Sequence, residues 1–541
     1  MNASDPQTDR LNWGRPADLV ACALLSLLCA AVSSIVGVHG EFPLNDDWTY
    51  AETTGRLLEV GHLERTTWTW VPMITHAMVG SAFSLVFDFS FETLRMSGVF
   101  MGWLGVLGTY VLCRQVGAGI WLAWMGAAVI GLNPLHVNLS HTFMMDVPFA
   151  AILTWSLVCL CRGLTWRSWA WITVGTVLAE AAVLSRQPGL AVPIATVIVF
   201  VTIGLRSKRY LLAAAVIAGV TAFVHFVVPS LVYGPRDSGT MFDFSTINDT
   251  IRGPSVLWNL GINCFVHLAY LGLFLFPLAV GFAVRRGAPV RLLLTSLALT
   301  GLSVALLSRY NLKYPLGLNV IYDLGLGPPT LHGAGQLPRA GNEFWWSLTV
   351  LGLFTGFFVT CVLLTSVWKR RLQFRDRADG LLLLMVPVVY LPPLLARRPC
   401  FDRYLLPVLP PLVALLIIFT RPAQAAVSLG RALGIAALVL TSAFSIAGTR
   451  DYLEHHRARW TLLDELSAQG IEPADIHGGF EFMSWNAEDK DMADLWRNIR
   501  EERFVISLAG ELEGFQSVKS LSYQRLLPPG TQVLTVFEKI Q

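Results

Sequence analysis

Long apolar stretches recur along this chain of 541 residues, and they constrain its fold more than any other feature. A stretch of about 17 to 25 apolar residues is long enough to cross a bilayer as a helix. Only 14% of the residues are charged, roughly half the fraction in a soluble globular chain. The sequence therefore predicts an all-α polytopic membrane protein. About thirteen spans are expected, near residues 17–38, 96–113, 117–135, 146–161, 169–185, 189–205, 210–230, 257–284, 289–307, 345–367, 379–396, 402–419 and 431–448.

Charge and cysteine usage exclude several other classes of protein. The formal net charge of +3 is too small to indicate a nucleic-acid partner. The eight cysteines lie mostly in apolar stretches, so neither a disulfide framework nor a CxxC metal site is indicated. The first apolar stretch, residues 19–38, is long enough to span and has no small-residue cleavage site, so we expect a retained helix rather than a signal peptide.

The distribution of Lys and Arg predicts how the chain crosses the membrane. With an odd number of spans, the two ends lie on opposite faces, and an inward N-terminus makes the inner loops short and basic. The N-terminus is then cytoplasmic and the C-terminus extracytoplasmic. The longer segments that face outwards are residues 39–95, 231–256 and 308–344 and the tail from 449.

The tail differs in composition from the rest of the chain. It combines an amphipathic stretch at 460–469, a Gly478-Gly479 turn and β-like stretches at 504–508 and 532–538. These features predict two domains, a transmembrane module over 1–448 and a small extracytoplasmic α/β domain over 449–541.

Acidic residues at the predicted outer face are candidates for chemistry. Asn45 can cap an amphipathic helix whose first turn holds Asp46 and Asp47, and Asp146 stands two residues before Pro148 where the fourth span begins. Each acid also has a structural interpretation, as a complement to the helix dipole or as a helix N-terminal residue. Acids on the same face in two separate segments favour a functional site.

Several cations also lie at the outer ends of spans, where the orientation rule disfavours them. They therefore require an anionic partner, which is either a lipid headgroup or a bound phosphate. These cations are Arg186, Arg309, Lys313, Arg397, Arg398 and Arg403.

Three of these segments together resemble a known family. An acidic pair followed by Trp48 and Tyr50, the acid before Pro148, and the stretch 403–411, Arg-Tyr-Leu-Leu-Pro-Val-Leu-Pro-Pro, occur in the order and sidedness of the GT-C superfamily. The chain resembles glycosyltransferase family 39 and its relatives, the protein O-mannosyltransferases and the lipid A aminoarabinose transferase. It departs from that pattern with Asp-Asp in place of Asp-Glu at 46–47, and with Arg-Gln-Pro-Gly at 186–189 in place of Lys-Gly.

The resemblance implies a GT-C fold in which Asp46 is the catalytic carboxylate and Asp146 helps to organise the site. Nucleotide sugars are held in the cytoplasm, so an outward-facing transferase needs a sugar carried by a membrane lipid. We therefore expect an inverting glycosyltransferase of a cell-envelope pathway, in a bacterial inner membrane. It would move a sugar from a polyprenyl-phosphate donor to a hydroxyl or amine on a glycan, lipid or protein.

Each candidate residue has an expected role in that reaction. Asp46 is the base and Asp47 assists it, caps the helix or binds a divalent cation together with Asp146, with Mg²⁺, Mn²⁺ or Ca²⁺ as suitable ions. The remaining candidates are expected to bind the donor, and they are Tyr50, Arg186, Arg397, Arg398, Arg403 and Tyr404. His76 and His141 are left unassigned.

Two other classes of protein remain open at this point. A multi-pass transporter or flippase-like protein would use the same charged residues to bind a translocated solute, although Glu180 is the one clear mid-span acid. A membrane scaffold whose tail binds a partner is the third alternative. Trp48, Trp68 and Trp70 fit an interfacial aromatic belt better than stacking on a sugar.

Overall fold

The computed structural model describes residues 14–64, 71–204, 207–234, 256–286, 289–316, 320–370, 377–396, 400–420, 428–487 and 502–540. Most of these residues are helical. The α-helices are Pro16–Val36, Asp47–Val60, Ile74–Phe87, Phe91–Gln115, Ile120–Gly131, Pro134–Ser140, Asp146–Trp166, Trp169–Ser185, Ala191–Gly204, Lys208–Phe226, Val228–Tyr233, Val256–Arg286, Val290–Arg309, Asn342–Arg370, Ala378–Leu395, Leu409–Thr420, Ser428–Ala468 and Phe480–Asn486. Short 3₁₀ helices lie at Gln187–Leu190, Ala334–Gln336, Asp402–Val408 and Pro473–Asp475.

The predicted all-α polytopic architecture is confirmed. Within the described ranges, eleven helical segments are long and apolar enough to cross a membrane. The pair Ile120–Gly131 and Pro134–Ser140, bent by 61°, is a broken span or a re-entrant loop and gives a count of twelve if it is taken as one span, and Trp169–Ser185 is a shorter apolar helix. The bend follows from Asn133 and Pro134, because the Asn133 side chain accepts a hydrogen bond from the Leu135 backbone N–H and Pro134 starts a new helix.

Small residues allow two long helices to pack closely. A side chain at Gly272 would lie 1.8 Å from the carbonyl oxygen of Gly352, and one at Gly356 would lie 2.6 Å from that of Leu268. Without glycine at these positions, Val256–Arg286 could not cross Asn342–Arg370 at this distance.

Two contacts join the ends of apolar helices that are distant in sequence. Asp18, at the start of the first span, accepts hydrogen bonds from Tyr110 Oη at 2.6 Å and from Arg114 Nε at 2.7 Å. The Cys161 thiol, at the end of Asp146–Trp166, lies 4.0 Å from the carbonyl oxygen of Asp379, at the start of Ala378–Leu395. These contacts place the start of Pro16–Val36 beside the end of Phe91–Gln115, and the end of Asp146–Trp166 beside the start of Ala378–Leu395.

The tail contains a small mixed sheet, as predicted. Its strands are β3 (Ile476–His477), β4 (Phe504–Ser507), β5 (Phe515–Leu526) and β6 (Pro529–Lys539), in the order β3-β4-β6-β5, and a separate two-stranded pair is formed by β1 (Ile321–Tyr322) and β2 (Gly325–Leu326). β3 runs parallel to β4 and the other neighbours are antiparallel. The sequence did not reveal β5, because nearly all of its side chains are exposed or half-buried and it lacks a clear apolar alternation.

The last span continues into the tail without a break. The helix Ser428–Ala468 is 41 residues long, so the predicted domain boundary at 448/449 falls inside it. The tail is thus joined to the transmembrane module by a continuous helix, and the division into two domains stays a prediction.

Candidate active site

Asp46 lies at a turn in the predicted first outer loop, directly before the helix Asp47–Val60. The turn is made by Asn45, whose φ of 53° is left-handed, a conformation that Asn adopts more readily than most residues. The prediction that Asn45 caps the helix is wrong, because Asp46 is the N-cap residue and no side chain caps it. The Asn45 amide lies 4.0 Å from the Met144 sulfur instead.

Asp146 is the centre of a buried charge cluster. Its Oδ1 accepts a short hydrogen bond from Arg186 Nη1, and its Oδ2 lies 4.0 Å from Arg403 Nε. Asp146 begins the helix Asp146–Trp166, while Arg186 follows Trp169–Ser185 and Arg403 lies in the 3₁₀ helix Asp402–Val408. Three segments distant in sequence thus bring these groups together.

Asp46 extends this cluster towards solvent. Its Oδ2 lies 3.4 Å from Arg403 Nη2, and its side chain is 22% exposed, whereas that of Asp146 is 2% exposed. Burial raises the pKa of Asp46 above its ordinary value, and Arg403 opposes this rise, while the negative charges of Asp146 and Glu481 add to it. Asp46 is therefore the more accessible carboxylate of the two, and it has increased basicity.

Aromatic rings lie beside both guanidinium groups. The Arg186 guanidinium lies 5.0 Å from the ring centre of Tyr404, and that of Arg403 lies 5.1 Å from the ring centre of Phe401. Tyr390 Oη fixes this segment by donating to the Tyr404 carbonyl oxygen at 3.1 Å. The predicted residue Tyr404 thus belongs to the cluster, where it restricts the orientation of Arg186.

Asp402 is a site residue that the sequence prediction missed. Its carboxylate accepts hydrogen bonds from the backbone N–H groups of Val320, at 3.2 Å, and Ile321, at 2.9 Å, and from that of Arg403 at 2.7 Å. Asp402 thereby holds the segment 320–326 against the backbone of Arg403. An acid beside Arg403 at the end of an apolar span was the available signal.

Tyr50 lies one turn into the helix Asp47–Val60 and is buried, with its ring edge-on to His76 at 5.8 Å. Burial raises the pKa of Tyr50, and the charge of Asp46 raises it further, so the phenol stays protonated as a hydrogen-bond donor. The predicted binding residue Tyr50 thus lies within the electrostatic reach of Asp46, Arg403 and Arg186.

Asp47 differs from Asp46 in its surroundings. It is fully buried, and its two oxygens accept hydrogen bonds from the backbone N–H groups of Leu44 and Phe143. Burial raises its pKa to about 7, against the opposing charge of Arg95. In this arrangement Asp47 connects the loop before Asp46 to the loop before Asp146.

The two acids predicted as metal ligands are already engaged by protein groups. Asp47 binds two backbone N–H groups, and Asp146 pairs with Arg186. In the described parts of the chain, no group of three or more His, Cys, Asp or Glu side chains could hold a metal ion. Positive charge in this cluster comes from Arg186 and Arg403.

The remaining candidates fall into two groups. Arg397 and Arg398 lie outside the described residues, as do Trp68 and Trp70. His76 Nε2 is 3.0 Å from the Phe143 carbonyl oxygen, and His141 Nδ1 is 2.7 Å from that of Val137. Burial lowers the pKa of His141 to about 4, which keeps it neutral.

Glu180, the acid expected of a transporter, contacts a neighbouring helix. Its Oε1 accepts a hydrogen bond from Thr221 Oγ1 at 2.6 Å, which joins Trp169–Ser185 to Lys208–Phe226. This pairing gives the mid-span acid a role in helix packing.

No family model and no curated protein matches the chain. Among solved structures, it is similar to ArnT from Cupriavidus metallidurans bound to undecaprenyl phosphate, with 14% identity, a TM-score of 0.40 and coverage of 95% of this chain and 97% of that one. It is also similar to the S. cerevisiae protein O-mannosyltransferase Pmt1-Pmt2 complex bound to the sugar donor, with 16% identity, a TM-score of 0.31 and coverage of 43% of this chain and 34% of that one. A third similarity is to the arabinosyltransferase EmbB from Mycobacterium smegmatis, with 12% identity, a TM-score of 0.29 and coverage of 80% and 43%. The chain thus spans about a third of the Pmt chain and less than half of EmbB.

Proposed function

We propose that the protein is an inverting glycosyltransferase that takes its sugar from a polyprenyl-phosphate donor at the outer face of the membrane. One observation carries this proposal. A partly exposed carboxylate, Asp46, lies 3.4 Å from the guanidinium of Arg403, and Arg403 shares Asp146 with a second guanidinium, that of Arg186. A base and a paired cationic site for a phosphate therefore lie side by side.

The unused donors of the two arginines favour an anionic ligand. Arg403 Nη1 and Arg186 Nε are buried and have no hydrogen-bond partner among the described residues. Buried donors in native proteins are nearly always paired, and guanidinium groups match phosphate oxygens closely. A lipid phosphate bound here would satisfy both donors.

The reaction is a single displacement. The acceptor oxygen or nitrogen attacks the anomeric carbon while Asp46 takes its proton, and the bond from that carbon to the phosphate oxygen breaks with its electron pair on the phosphate. Arg186 and Arg403 stabilise the phosphate that leaves, so no protonating acid is required. Attack opposite to the leaving group inverts the configuration of the sugar.

The location of the site suits a lipid-borne donor. Asp146 and Arg403 stand at the ends of apolar helices, so the charged head of a polyprenyl phosphate would meet them while its hydrocarbon tail stays in the bilayer. The proposal requires that this end of the bundle faces outwards, with the N-terminus cytoplasmic and the C-terminus extracytoplasmic, as in a bacterial inner membrane. The acceptor is a hydroxyl or amine of a cell-envelope glycan, lipid or protein.

Transfer from a labelled donor tests this function. The purified protein in detergent would be incubated with radiolabelled polyprenyl-phosphate sugars and with lipid, glycan and protein fractions from a strain lacking the gene. We expect label to move to one fraction with wild type and not with Asp46→Asn. Equal transfer by wild type and Asp46→Asn would overturn the assignment of Asp46 as the base. If neither protein transferred the label but both took up a solute into vesicles, the transporter alternative would be indicated.

A further inference from the structure

The carboxylate of Glu481 reaches the first outer loop from the tail of the chain. Glu481 lies in the helix Phe480–Asn486 and is fully buried. Its Oε1 accepts a hydrogen bond of 3.1 Å from the backbone N–H of Asn45, the residue directly before Asp46. The tail therefore contacts the turn that presents the proposed base.

Glu481 also binds two other segments. Thr330 Oγ1 lies 2.8 Å and 2.7 Å from its two carboxylate oxygens, and Arg459 Nη1 donates to Oε2 at 2.9 Å. Arg459 is itself fixed, because its Nε donates to the Gly478 carbonyl oxygen at 2.7 Å. One carboxylate thus joins the first outer loop, the 308–344 loop and the helix Ser428–Ala468 at a single point.

We propose that Glu481 is a positioning residue that holds the Asn45–Asp46 turn in its reactive orientation, so that the tail completes the active site. This inference rests on the proposed function of Asp46. A backbone N–H bonded to a buried carboxylate has little freedom to rotate, and a small displacement of a catalytic group reduces the rate strongly.

The effect of the Glu481 charge on the pKa of Asp46 distinguishes a positioning role from a purely structural one. Asp46 faces the charged groups of Arg403, Asp146 and Glu481 and the phenol of Tyr50. Glu481 in turn faces the cation of Arg459 and four titratable groups: Asp46, Asp47, Tyr452 and His455. Since the negative charge of Glu481 raises the pKa of Asp46, its removal lowers that pKa. A change of tail packing alone would not shift the titration of the base.

The test compares Glu481→Gln with wild type in the full-length protein. We expect the acid limb of the pH dependence of kcat/KM for donor to move to lower pH by on the order of half a unit. We also expect kcat to fall about tenfold, while KM for the donor stays unchanged because Arg186 and Arg403 are intact. An unmoved limb with kcat within twofold of wild type would overturn the inference.

Glu465→Gln is the matched control. Glu465 lies on the exposed side of Ser428–Ala468 and pairs with Lys519 at 2.7 Å, so this variant also removes a paired carboxylate from the tail region. It should leave both kcat and the acid limb as in wild type.

Gel filtration and thermal unfolding show whether Glu481→Gln folds. If it does not, two further variants test the positioning role of Glu481. Glu481→Asp keeps the charge and shortens the reach to Asn45, and Thr330→Val removes the hydroxyl that steadies the carboxylate. Both variants keep the carboxylate charge, so the acid limb should not move in either and kcat is the readout. A lower kcat at constant donor KM, with the thermal unfolding of wild type, supports positioning, and wild-type kcat in both variants refutes it. If Asp46→Asn stays active, the proposed function fails. If Asp46→Asn is inactive and the Glu481 variants behave as wild type, only the positioning role of Glu481 fails.

Discussion

Arg186 and Arg403 approach opposite oxygens of one carboxylate, that of Asp146. One acid neutralises only one of the two cations, and the second positive charge is balanced by Asp46. In the proposed reaction Asp46 accepts a proton, and the cluster then gains a net positive charge beside the departing phosphate. The arrangement would therefore couple proton transfer at the acceptor to stabilisation of the leaving group.

Replacing either arginine with lysine tests the phosphate site. Arg186→Lys and Arg403→Lys keep the charge but lose the fork geometry, so we expect KM for the polyprenyl-phosphate donor to rise roughly 10- to 100-fold. Steady-state transfer kinetics with labelled donor measure this change.

Arg309→Lys is the control for the arginine variants. Arg309 is exposed at the end of Val290–Arg309, on the predicted outer face, where a lipid headgroup would serve as its anionic partner. This variant should keep the wild-type donor KM. If the Arg186 and Arg403 variants also kept it, both arginines would be assigned to lipid anchoring instead.

Asp46→Asn should abolish the chemistry and preserve the fold. The amide has nearly the shape of the carboxylate but cannot accept the proton, so we expect kcat to fall about 10²- to 10⁴-fold with donor binding retained.

In wild type, activity should rise with pH through the pKa of Asp46, which lies above the ordinary value of 3.8. Asp88→Asn is the control, because Asp88 is an exposed acid of the same segment 39–95 and the exchange removes its charge at nearly constant shape. A loss of less than threefold in Asp46→Asn would remove Asp46 from the role of base.

The predicted site residues that the structure brings into one cluster share a simple signal. Asp46, Asp146, Arg186 and Arg403 are charged groups at the ends of apolar spans, and counting spans assigns all of them to one face. The face on which a residue lies does not give its distance from other residues on that face. The sequence therefore could not predict that Arg186 and Arg403 share Asp146.

The contacts that complete the site depend on tertiary folding. Glu481 lies in a polar tail, 436 residues from its partner Asn45, and nothing in the local sequence distinguishes it from other surface acids. The separation of Asp46 from Asp47 was also hidden, since adjacent acids in a helical turn point in different directions. Only the fold shows that Asp47 is enclosed while Asp46 remains partly open.

Asp47 makes stability depend on pH. Its pKa of about 7 in the folded chain exceeds the ordinary 3.8, so its contribution to stability is fully present below pH 3.8 and is lost as the pH rises through 7. The loss is on the order of 4 kcal/mol above pH 7. Asp47→Asn stays neutral, so thermal unfolding midpoints in detergent should shift in its favour relative to wild type as pH increases from 4 to 8. Asp88→Asn should instead follow wild type. Parallel curves for Asp47→Asn and wild type would show that burial does not raise the pKa of Asp47.

The left-handed turn at Asn45 should control catalysis through backbone shape. Asn45→Gly accepts the φ of 53° without a steric penalty, so we expect transfer within about threefold of wild type. Asn45→Val has a branched side chain that disfavours this conformation by roughly 1–2 kcal/mol, so the turn should distort and kcat should fall at least about tenfold at constant donor KM. Asp88→Val places the same branched side chain at another positive φ, 64°, at an exposed position, and it should lower the unfolding temperature without changing kcat. Equal kcat for the Gly and Val variants at position 45 would mean that the turn does not set the orientation of Asp46.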